Sequence, residues 1–305
     1  MQRNDSPVGP PRRLAPPVIM AGVFFILLVA LPALAGLYVD LHWFRSLGFE
    51  GVFTTMLWAR VGLGLAAGVA LAAAIYGNVV LALRLSAGLR PLVLQDPTGQ
   101  TRIGLGNIPN RLAMPVSVGL GVLAGLMFAG SWEEWLLWRN SGAFGVVDPI
   151  FGRDVGFYIF TLPVLQSTRS LLVWMIGLTL ALSAGTYLLR GGIRTDTGKP
   201  IAHRLARVHL SILGALFFVL LSFDAWLSMP ELLYSRLGPV SGASYADVHA
   251  RLPALQAKVA IAAVGAVLLL WGARRPGVRF AMLAVVLLGA VDVLGVRVYP
   301  ELVHR

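Results

Sequence analysis

The chain has 305 residues, of which 57% are hydrophobic and 13% are charged, whereas a soluble domain usually carries about 25% charged residues. The apolar residues form long continuous runs, which excludes an ordinary soluble domain and also a β-barrel of alternating segments of about ten residues. The formal charge of +11 fits basic residues at the cytoplasmic ends of membrane spans, so we expect no nucleic acid partner. The absence of cysteine excludes disulfides, thiolate metal sites and a cysteine nucleophile.

Seven apolar runs predict an all-α fold, a polytopic transmembrane helix bundle of about seven spans with interfacial helices in the outer loops. We expect residues 1–17 to form a disordered cytoplasmic tail and residues 18–305 to form the transmembrane domain. Residues 33–35 resemble a signal-peptidase site, but apolar residues continue through Val39, which favours an uncleaved first span. The predicted spans lie near residues 18–39, 61–83, 112–132, 170–189, 208–229, 256–273 and 280–298.

Two features predict how the spans pack. Gly64 and Gly68 in the second span, and Gly121 and Gly125 in the third, have the four-residue spacing that lets helix backbones approach closely in lipid. Closely spaced glycines also occur in nucleotide-binding loops, but no strand–turn–helix pattern accompanies these. The hinge at residues 274–279 is short, which predicts a tight antiparallel pair of the last two spans.

Residues 148–163, here called the motif segment, read DPIFGRDVGFYIFTLP and are dense in aromatic, charged, Gly and Pro residues. The segment is too polar to cross a bilayer and too apolar for a solvated loop, which predicts a position at the lipid–water boundary. We expect Asp148 and Pro149 to start a helix, Asp154 to cap the next turn and Pro163 to break it. One possibility is that the segment binds a head group or a metal ion through Asp148, Arg153 and Asp154. We favour a structural role instead, in which the aspartates act as caps and an Arg–Asp pair forms.

Two acidic residues lie inside predicted spans. Asp224 is near the outer end of the fifth span, and a carboxylate at membrane depth usually faces a cavity or a partner. It could carry protons, pair with an arginine of another span, or lie at the interface beside Trp226. We predict that it faces protein or a cavity rather than lipid. The same reasoning applies to Asp292, for which Arg297 is a nearby candidate partner.

A second segment, residues 242–255, places Tyr245, Asp247, His249 and Arg251 at every other position. This spacing would align them along one side of an extended loop. Asp247 and His249 could be metal ligands, but a dedicated site needs three or four ligands. We therefore predict no metal site and no cofactor, and favour a hydrogen-bonded loop that covers the bundle.

The motif segment and residues 242–255 resemble the signature of uncharacterised protein family 0182, a family of large bacterial multi-pass membrane proteins. The resemblance implies a membrane region followed by a long extracytoplasmic part, in the bacterial inner membrane, and it implies no known activity. The motif-segment residues that carry it are Asp148, Pro149, Gly152, Arg153, Asp154, Phe157, Tyr158 and Pro163.

The distribution of arginine and lysine predicts the orientation. With a cytoplasmic N-terminus, the inner segments hold 15 of the 25 basic residues, and the acidic residues fall mostly outside. Because cytoplasmic loops carry an excess of Lys and Arg, we expect a cytoplasmic N-terminus and an extracytoplasmic C-terminus. The motif segment then lies on the outer face.

The chain shows no nucleophile elbow, no zinc-protease motif and no P-loop, so an enzymatic role is not favoured. We therefore favour a non-enzymatic module that anchors or assembles envelope proteins, with the lipid bilayer and other envelope proteins as partners. A transporter or channel is the first alternative. An enzyme acting on a lipid-linked substrate at the outer face, through Asp148, Asp154, Asp224 or Asp247, is the second.

Overall fold

A computed structural model describes residues 16–95, 102–196, 199–234, 242–274 and 279–293. Two antiparallel hairpins accompany the helices, one pairing β1 (Val93–Gln95) with β2 (Arg102–Gly104), the other β3 (Ile193–Asp196) with β4 (Lys199–Ala202). The helices are α1 (Pro16–Ser46), α2 (Glu50–Leu85), α3 (Ile108–Phe128), α4 (Trp132–Arg139), α5 (Leu162–Leu189), α6 (Arg204–Glu231), α7 (Leu252–Gly272) and α8 (Arg279–Ala290).

The predicted all-α membrane bundle is confirmed. Within the described part of the chain, five helical runs are long and apolar enough to cross a membrane, and they are residues 50–85, 105–139, 157–189, 204–234 and 247–272. All five extend past the predicted limits on at least one side, because hydropathy marks only the uncharged centre of a helix whose polar ends reach the interface.

The first and last predicted spans are described only in part. Residues 18–39 lie inside α1, which already begins at Pro16, whereas residues 1–15 of the predicted tail lie outside the described residues. The seventh predicted span corresponds to α8 and one further turn ending at Val293, and residues 294–298 lie outside the described range. The total of seven spans therefore stays a prediction.

The chain divides into two units, residues 1–58 and 59–305. In the first unit, α1 passes into the start of α2 through a turn in which Gly48 adopts a positive φ of 77°. Arg45 and Glu50 form an ion pair of 2.6 Å across that turn. The rings of Phe44 and Phe53 pack 5.7 Å apart beside it.

In the second unit, helices α2 and α3 approach closely at their glycines, as the four-residue spacing predicted, and the two glycine pairs meet each other face to face. A Cβ placed on Gly68 would lie 2.8 Å from the carbonyl oxygen of Gly121, and one on Gly125 would lie 2.6 Å from that of Gly64. Real Cβ atoms do not approach backbone so closely. Helices α2 and α3 therefore cross at a distance that only glycine permits.

Helices α6, α7 and α8 share an apolar core in which Phe218 of α6 packs with Ala266 and Leu269 of α7 and Ala284 of α8. Gly265 makes room for the Phe218 ring, since a Cβ there would lie 2.5 Å from it. An ion pair joins a residue near the start of α7 to one just after α8, so these two helices run antiparallel.

The second unit has two distinct ends. At one, which we call the hairpin end, Arg190 donates to the carbonyl of Gly106, and Arg194 donates to that of Arg90 at 2.8 Å. The other, the motif end, holds the motif segment, the start of α7 and the end of α6. The described arginines at the hairpin end include Arg84, Arg90, Arg102, Arg111, Arg190, Arg194, Arg204, Arg207, Arg274 and Arg279.

Each of α5 and α7 is entered through a single π-helical turn, residues 157–161 and 247–251. In both, the turn is followed by Leu-Pro, at Leu162–Pro163 and Leu252–Pro253. A proline lacks the N–H of an α-helical bond and crowds the preceding turn, which a wider turn relieves. The prediction that Pro163 breaks the helix is therefore wrong, because the helix runs through it.

Candidate functional site at the motif end

The motif segment folds back on itself as a tight hairpin before α5 begins. Val147 and Asp154 form an antiparallel bridge, and Asp148 donates from its backbone N–H to the carbonyl of Arg153 at 2.9 Å. Gly152 occupies the turn with a positive φ of 64°, a conformation that residues with a side chain rarely adopt. The predicted helix start at Asp148 and Pro149 is wrong, because these residues form the turn of this hairpin.

The carboxylate of Asp148 organises the turn. Its Oδ1 accepts from the N–H groups of Ile150 at 2.9 Å and Phe151 at 2.6 Å, and its Oδ2 accepts from the N–H of Arg153 at 2.9 Å. The phenol of Tyr158 donates to Oδ2 at 2.6 Å. Burial raises the pKa of Asp148, but these four donors outweigh it and hold the pKa below its ordinary value.

Asp154 caps the turn that follows it through the N–H of Gly156, as predicted, and it also closes the base of the hairpin. Its carboxylate accepts from the N–H groups of Phe144 at 3.0 Å, Gly145 at 2.8 Å and Gly156 at 2.7 Å. These bonds from Phe144, Gly156 and Gly145, opposed by partial burial, hold the pKa of Asp154 below its ordinary value. A Cβ on Gly156 would lie 2.6 Å from the carbonyl oxygen of Gly142, so this first helical turn requires glycine at that position.

Arg153 does not form the predicted pair with an aspartate. Its guanidinium carbon lies 4.2 Å from the ring centre of Phe157 and 5.3 Å from that of Trp226. The carboxylates of Asp148 and Asp154 are occupied by nearer backbone donors, which leaves the aromatic faces as the partners of the cation. The prediction of an Arg–Asp pair is therefore wrong.

Tyr158 ties the hairpin to the end of α6. Its side chain is only 7% exposed and packs with Leu162 and Leu227. Its carbonyl oxygen accepts a 2.8 Å hydrogen bond from the phenol of Tyr234, and the two rings meet edge to face 6.4 Å apart. Together with the bond to Asp148, these contacts make Tyr158 the junction between the hairpin and the bundle.

The second segment is helical, so its prediction as an extended loop is wrong. Asp247 is fully buried and accepts from the hydroxyl of Ser244 at 2.8 Å and from Arg251 at 3.2 Å. Tyr245 is 71% exposed and stacks on His249 with ring centres 4.0 Å apart. Residues four apart are neighbours on a helix, so Tyr245 pairs with His249 and Asp247 pairs with Arg251. The two predicted metal-ligand candidates, Asp247 and His249, therefore belong to different pairs.

Asp224 faces protein rather than lipid. Its carboxylate lies 3.3 Å from Nη1 of Arg169, and the same nitrogen lies 3.2 Å from Oε1 of Glu231. Glu231 also accepts from Gln166 at 2.9 Å. An arginine of another span was one of the partners predicted for Asp224, but neither Arg169 nor Glu231 was identified from the sequence. Their pairing joins α5 to α6 across more than 60 residues of sequence.

Asp292 pairs with Lys258 at 2.6 Å, whereas its predicted partner Arg297 lies outside the described residues. Lys258 was not among the partners predicted from the sequence. A signal was present, because Lys258 is a charged residue within the apolar run 252–272 and a charge in a span usually has a partner.

Two neighbouring pockets open at this end. The larger, of about 560 Å³, lies against α5 and the end of α6, and the smaller, of about 310 Å³, lies between the end of α6 and the start of α7. Glu231 and Tyr234 line both. The larger is completed by Tyr158, Ile159, Leu162, Pro163 and Gln166, and the smaller by Ser228, Leu232, Arg251, Leu255 and Lys258.

The family model described as uncharacterised protein family UPF0182 matches residues 17–305. The chain belongs to this family. A UPF0182 protein of Frankia casuarinae is 33% identical over 290 residues, which cover 95% of this chain and 28% of the relative. One of Mycobacterium tuberculosis is 36% identical over 258 residues, covering 82% and 26%, and one of Geobacter sp. is 36% identical over 277 residues, covering 89% and 31%.

This UPF0182 chain therefore spans less than a third of the length of these relatives. No solved structure matches it. Family membership confirms the resemblance carried by the motif segment and by residues 242–255. The functional roles of the individual residues in both segments stay predictions.

The described residues of this UPF0182 chain hold no group of three or more His, Asp or Glu side chains that could bind a metal ion. Asp148 and Asp154 direct their oxygens at backbone N–H groups of their own hairpin. These two carboxylates thus stabilise the backbone of the hairpin itself.

A buried polar network lies elsewhere, between α2, α5 and α6. Asn78 donates to the carbonyl of Ala74 at 2.7 Å, so its oxygen faces Nε2 of His209 at 3.0 Å. Nε2 therefore carries the proton, and Nδ1 accepts from the phenol of Tyr187 at 2.9 Å. Each group satisfies the next, and the network joins the three helices.

Proposed function

We propose that this UPF0182 chain is a non-enzymatic membrane module that anchors or assembles envelope polypeptide at its motif end. The strongest supporting observation is that the charged and the apolar side chains have different roles in the hairpin of the motif segment. Its two carboxylates, of Asp148 and Asp154, bond the backbone and hold its shape, while four apolar side chains are exposed. Phe144, Val146, Val147 and Ile150 are between 40% and 63% exposed.

An ordered segment with contiguous exposed apolar residues is typical of a protein–protein contact surface. We call these four residues, Phe144, Val146, Val147 and Ile150, the apolar cap. The rigidity of the hairpin favours a polypeptide partner, because little conformational freedom is then lost on binding. More than two thirds of each of the three relatives lies outside the region this chain matches, which offers polypeptide to be anchored.

We also propose the bacterial inner membrane as the location, with the motif end extracytoplasmic and the N-terminus cytoplasmic. The arginines of the hairpin end support this, because Lys and Arg concentrate on the cytoplasmic side. Among the described acidic residues of the second unit, all except Asp196 lie toward the motif end.

Photo-crosslinking in native membranes tests the anchoring role. A photoreactive residue at Val146 or Val147 is expected to give a polypeptide adduct of the same mass from both positions. The same residue at Ile201, which is 54% exposed but lies at the hairpin end, serves as the matched control and is expected to give no such adduct.

The adduct should also depend on the shape of the hairpin. Asp154→Ala removes the acceptor for three backbone donors, so it is expected to abolish the adduct at Val146. Exclusive crosslinking to lipid at both cap positions, or an adduct that survives Asp154→Ala unchanged, would contradict the proposal.

Cysteine labelling tests the orientation, because the natural chain has no cysteine. A membrane-impermeant maleimide is expected to label Ser141→Cys, at the motif end, in intact cells. It is expected to label Ala87→Cys, at the hairpin end, only after permeabilisation. The reverse pattern would overturn the orientation.

The described contacts offer no specific support to the transporter or the lipid-linked-substrate enzyme. The buried network of Asn78, Tyr187 and His209 is closed on itself. Both alternatives therefore stay as predictions from the sequence.

A further inference from the structure

Glu231 has one carboxylate oxygen that is free to bind a ligand. Gln166 and Arg169 both donate to its Oε1, at 2.9 Å and 3.2 Å. Its Oε2 accepts no hydrogen bond from any residue that the structure describes. The side chain remains 30% exposed and lines both pockets at the motif end.

The larger pocket has the composition of a site for an ammonium group. Of the described residues that line it, Glu231 alone is charged. Tyr158 and Tyr234 line the same pocket, and their hydroxyls are already bonded to Asp148 and to the Tyr158 carbonyl. A carboxylate next to aromatic rings attracts a cation through both its charge and the ring quadrupoles.

The smaller pocket offers the opposite charge. Arg251 and Lys258 line it, and their side chains are 34% and 15% exposed. Arg251 donates through Nη1 to Asp247, and Lys258 donates to Asp292 at 2.6 Å. A guanidinium has five N–H donors and an ammonium has three, so both retain donors for an anion. Phosphate oxygens are the anionic groups that such donors favour.

The two subsites adjoin because Glu231 and Tyr234 belong to both pockets. They lie where α5 and α7 begin and α6 ends, at the boundary of three helices that are long and apolar enough to span a membrane. Ile159, Leu162 and Leu255 supply apolar walls next to the charges. This combination matches a molecule with an ammonium, a phosphate and an apolar remainder.

We propose that the two pockets together bind the head group of a zwitterionic phospholipid that carries a primary ammonium, of the ethanolamine type. The ammonium donates to Oε2 of Glu231 in the pocket that Tyr158 and Tyr234 also line, and the phosphate accepts from Arg251 and Lys258. A primary ammonium fits better than a quaternary one, because the free oxygen requires an N–H donor. This binding site is independent of the apolar cap.

Equilibrium binding to the purified chain in detergent tests the proposal with water-soluble, short-chain lipids. Phosphatidylethanolamine is expected to bind at least about tenfold more tightly than phosphatidylglycerol, which lacks the ammonium. Phosphatidylcholine is expected to bind more weakly than phosphatidylethanolamine because it has no N–H. Free phosphoethanolamine is expected to bind more weakly than the lipid, since it lacks the apolar part.

Two variants locate the site. Glu231→Gln keeps the size of the side chain but removes its charge, so it is expected to reduce the preference for phosphatidylethanolamine to the level of phosphatidylglycerol. Glu133→Gln is the matched control, because Glu133 is exposed near the same end and lines neither pocket. It is expected to bind like the natural chain.

Glu231→Gln also weakens the contact with Arg169 and could prevent folding. Ile159→Trp therefore provides a second test of the larger pocket. Ile159 is 47% exposed, and a tryptophan there fills the larger pocket without removing any charge. It is expected to lose phosphatidylethanolamine binding while its thermal unfolding is unchanged. Equal binding of ethanolamine and glycerol lipids, full binding by folded Ile159→Trp, or equally tight binding of free phosphoethanolamine would overturn the proposal.

Discussion

The phenol of Tyr158 donates a 2.6 Å hydrogen bond to Oδ2 of Asp148 from within the π-helical turn that leads into α5. One side chain thereby fixes the hairpin of the motif segment to the helix that follows it. The same residue accepts from Tyr234 through its carbonyl oxygen, so the end of α6 is held at the same point.

Tyr158→Phe should destabilise the hairpin of the motif segment. The substitution removes one of four donors to the Asp148 carboxylate while preserving the ring packing, so we expect a loss of about 1–3 kcal/mol in the free energy of unfolding. Hydrogen exchange should accelerate at the backbone N–H groups of Ile150, Phe151 and Arg153. Tyr245→Phe is the control, because the Tyr245 side chain is largely exposed. Equal effects of the two substitutions would contradict the role of Tyr158.

The stability of the motif-segment hairpin should fall at acidic pH. Asp148 and Asp154 have folded-state pKa values below the unfolded value of about 3.9. The unfolded state therefore binds more protons, and the stabilisation present above about pH 4 is lost as pH falls through the lower folded pKa values. Thermal unfolding between pH 2 and 6 measures this. The thermal stability of Asp148→Asn should depend less steeply on pH than that of the natural chain. An identical slope would show that Asp148 does not contribute to the pH dependence.

Gly121→Ala should separate α2 from α3. The new Cβ would lie 2.6 Å from the Gly68 carbonyl oxygen and 2.8 Å from the Cβ of Ala72. We expect a loss of about 1–3 kcal/mol in the free energy of unfolding, because the backbones must move apart. Gly119→Ala, in the same helix with no atom within 4 Å of its added Cβ, should be neutral or mildly stabilising. Unfolding in detergent compares the two, and a neutral Gly121→Ala would be inconsistent with the crossing.

Lys258→Met should destabilise the pairing of α7 with α8. Removing the cation leaves the Asp292 carboxylate partly buried without this partner, and we expect a loss of about 1–3 kcal/mol. The double variant Lys258→Met and Asp292→Leu should recover part of that loss, because both charges are then absent. A double-mutant cycle of unfolding free energies measures the coupling. Strictly additive losses of unfolding free energy would show that the interaction between Lys258 and Asp292 does not stabilise the fold.

Some features of the site were predictable because they depend on neighbouring residues. The capping by Asp154 follows from its own segment, and the close approach at Gly64, Gly68, Gly121 and Gly125 follows from four-residue spacing. Other features were not. The alternation of Tyr245, Asp247, His249 and Arg251 predicted an extended loop, yet helical geometry pairs the first with the third and the second with the fourth.

The composition and spacing of the residues alone determined that the chain is a helical membrane protein, where most of its helices lie and which glycines permit close helix packing. These properties follow from local hydrophobicity and from the period of a helix, which each segment carries by itself. Only the tertiary structure decided which charges pair, because Arg169 meets Glu231 and Lys258 meets Asp292 across distant parts of the sequence. In an apolar surrounding a charge needs a partner, and the packing of the helices alone brings that partner within reach.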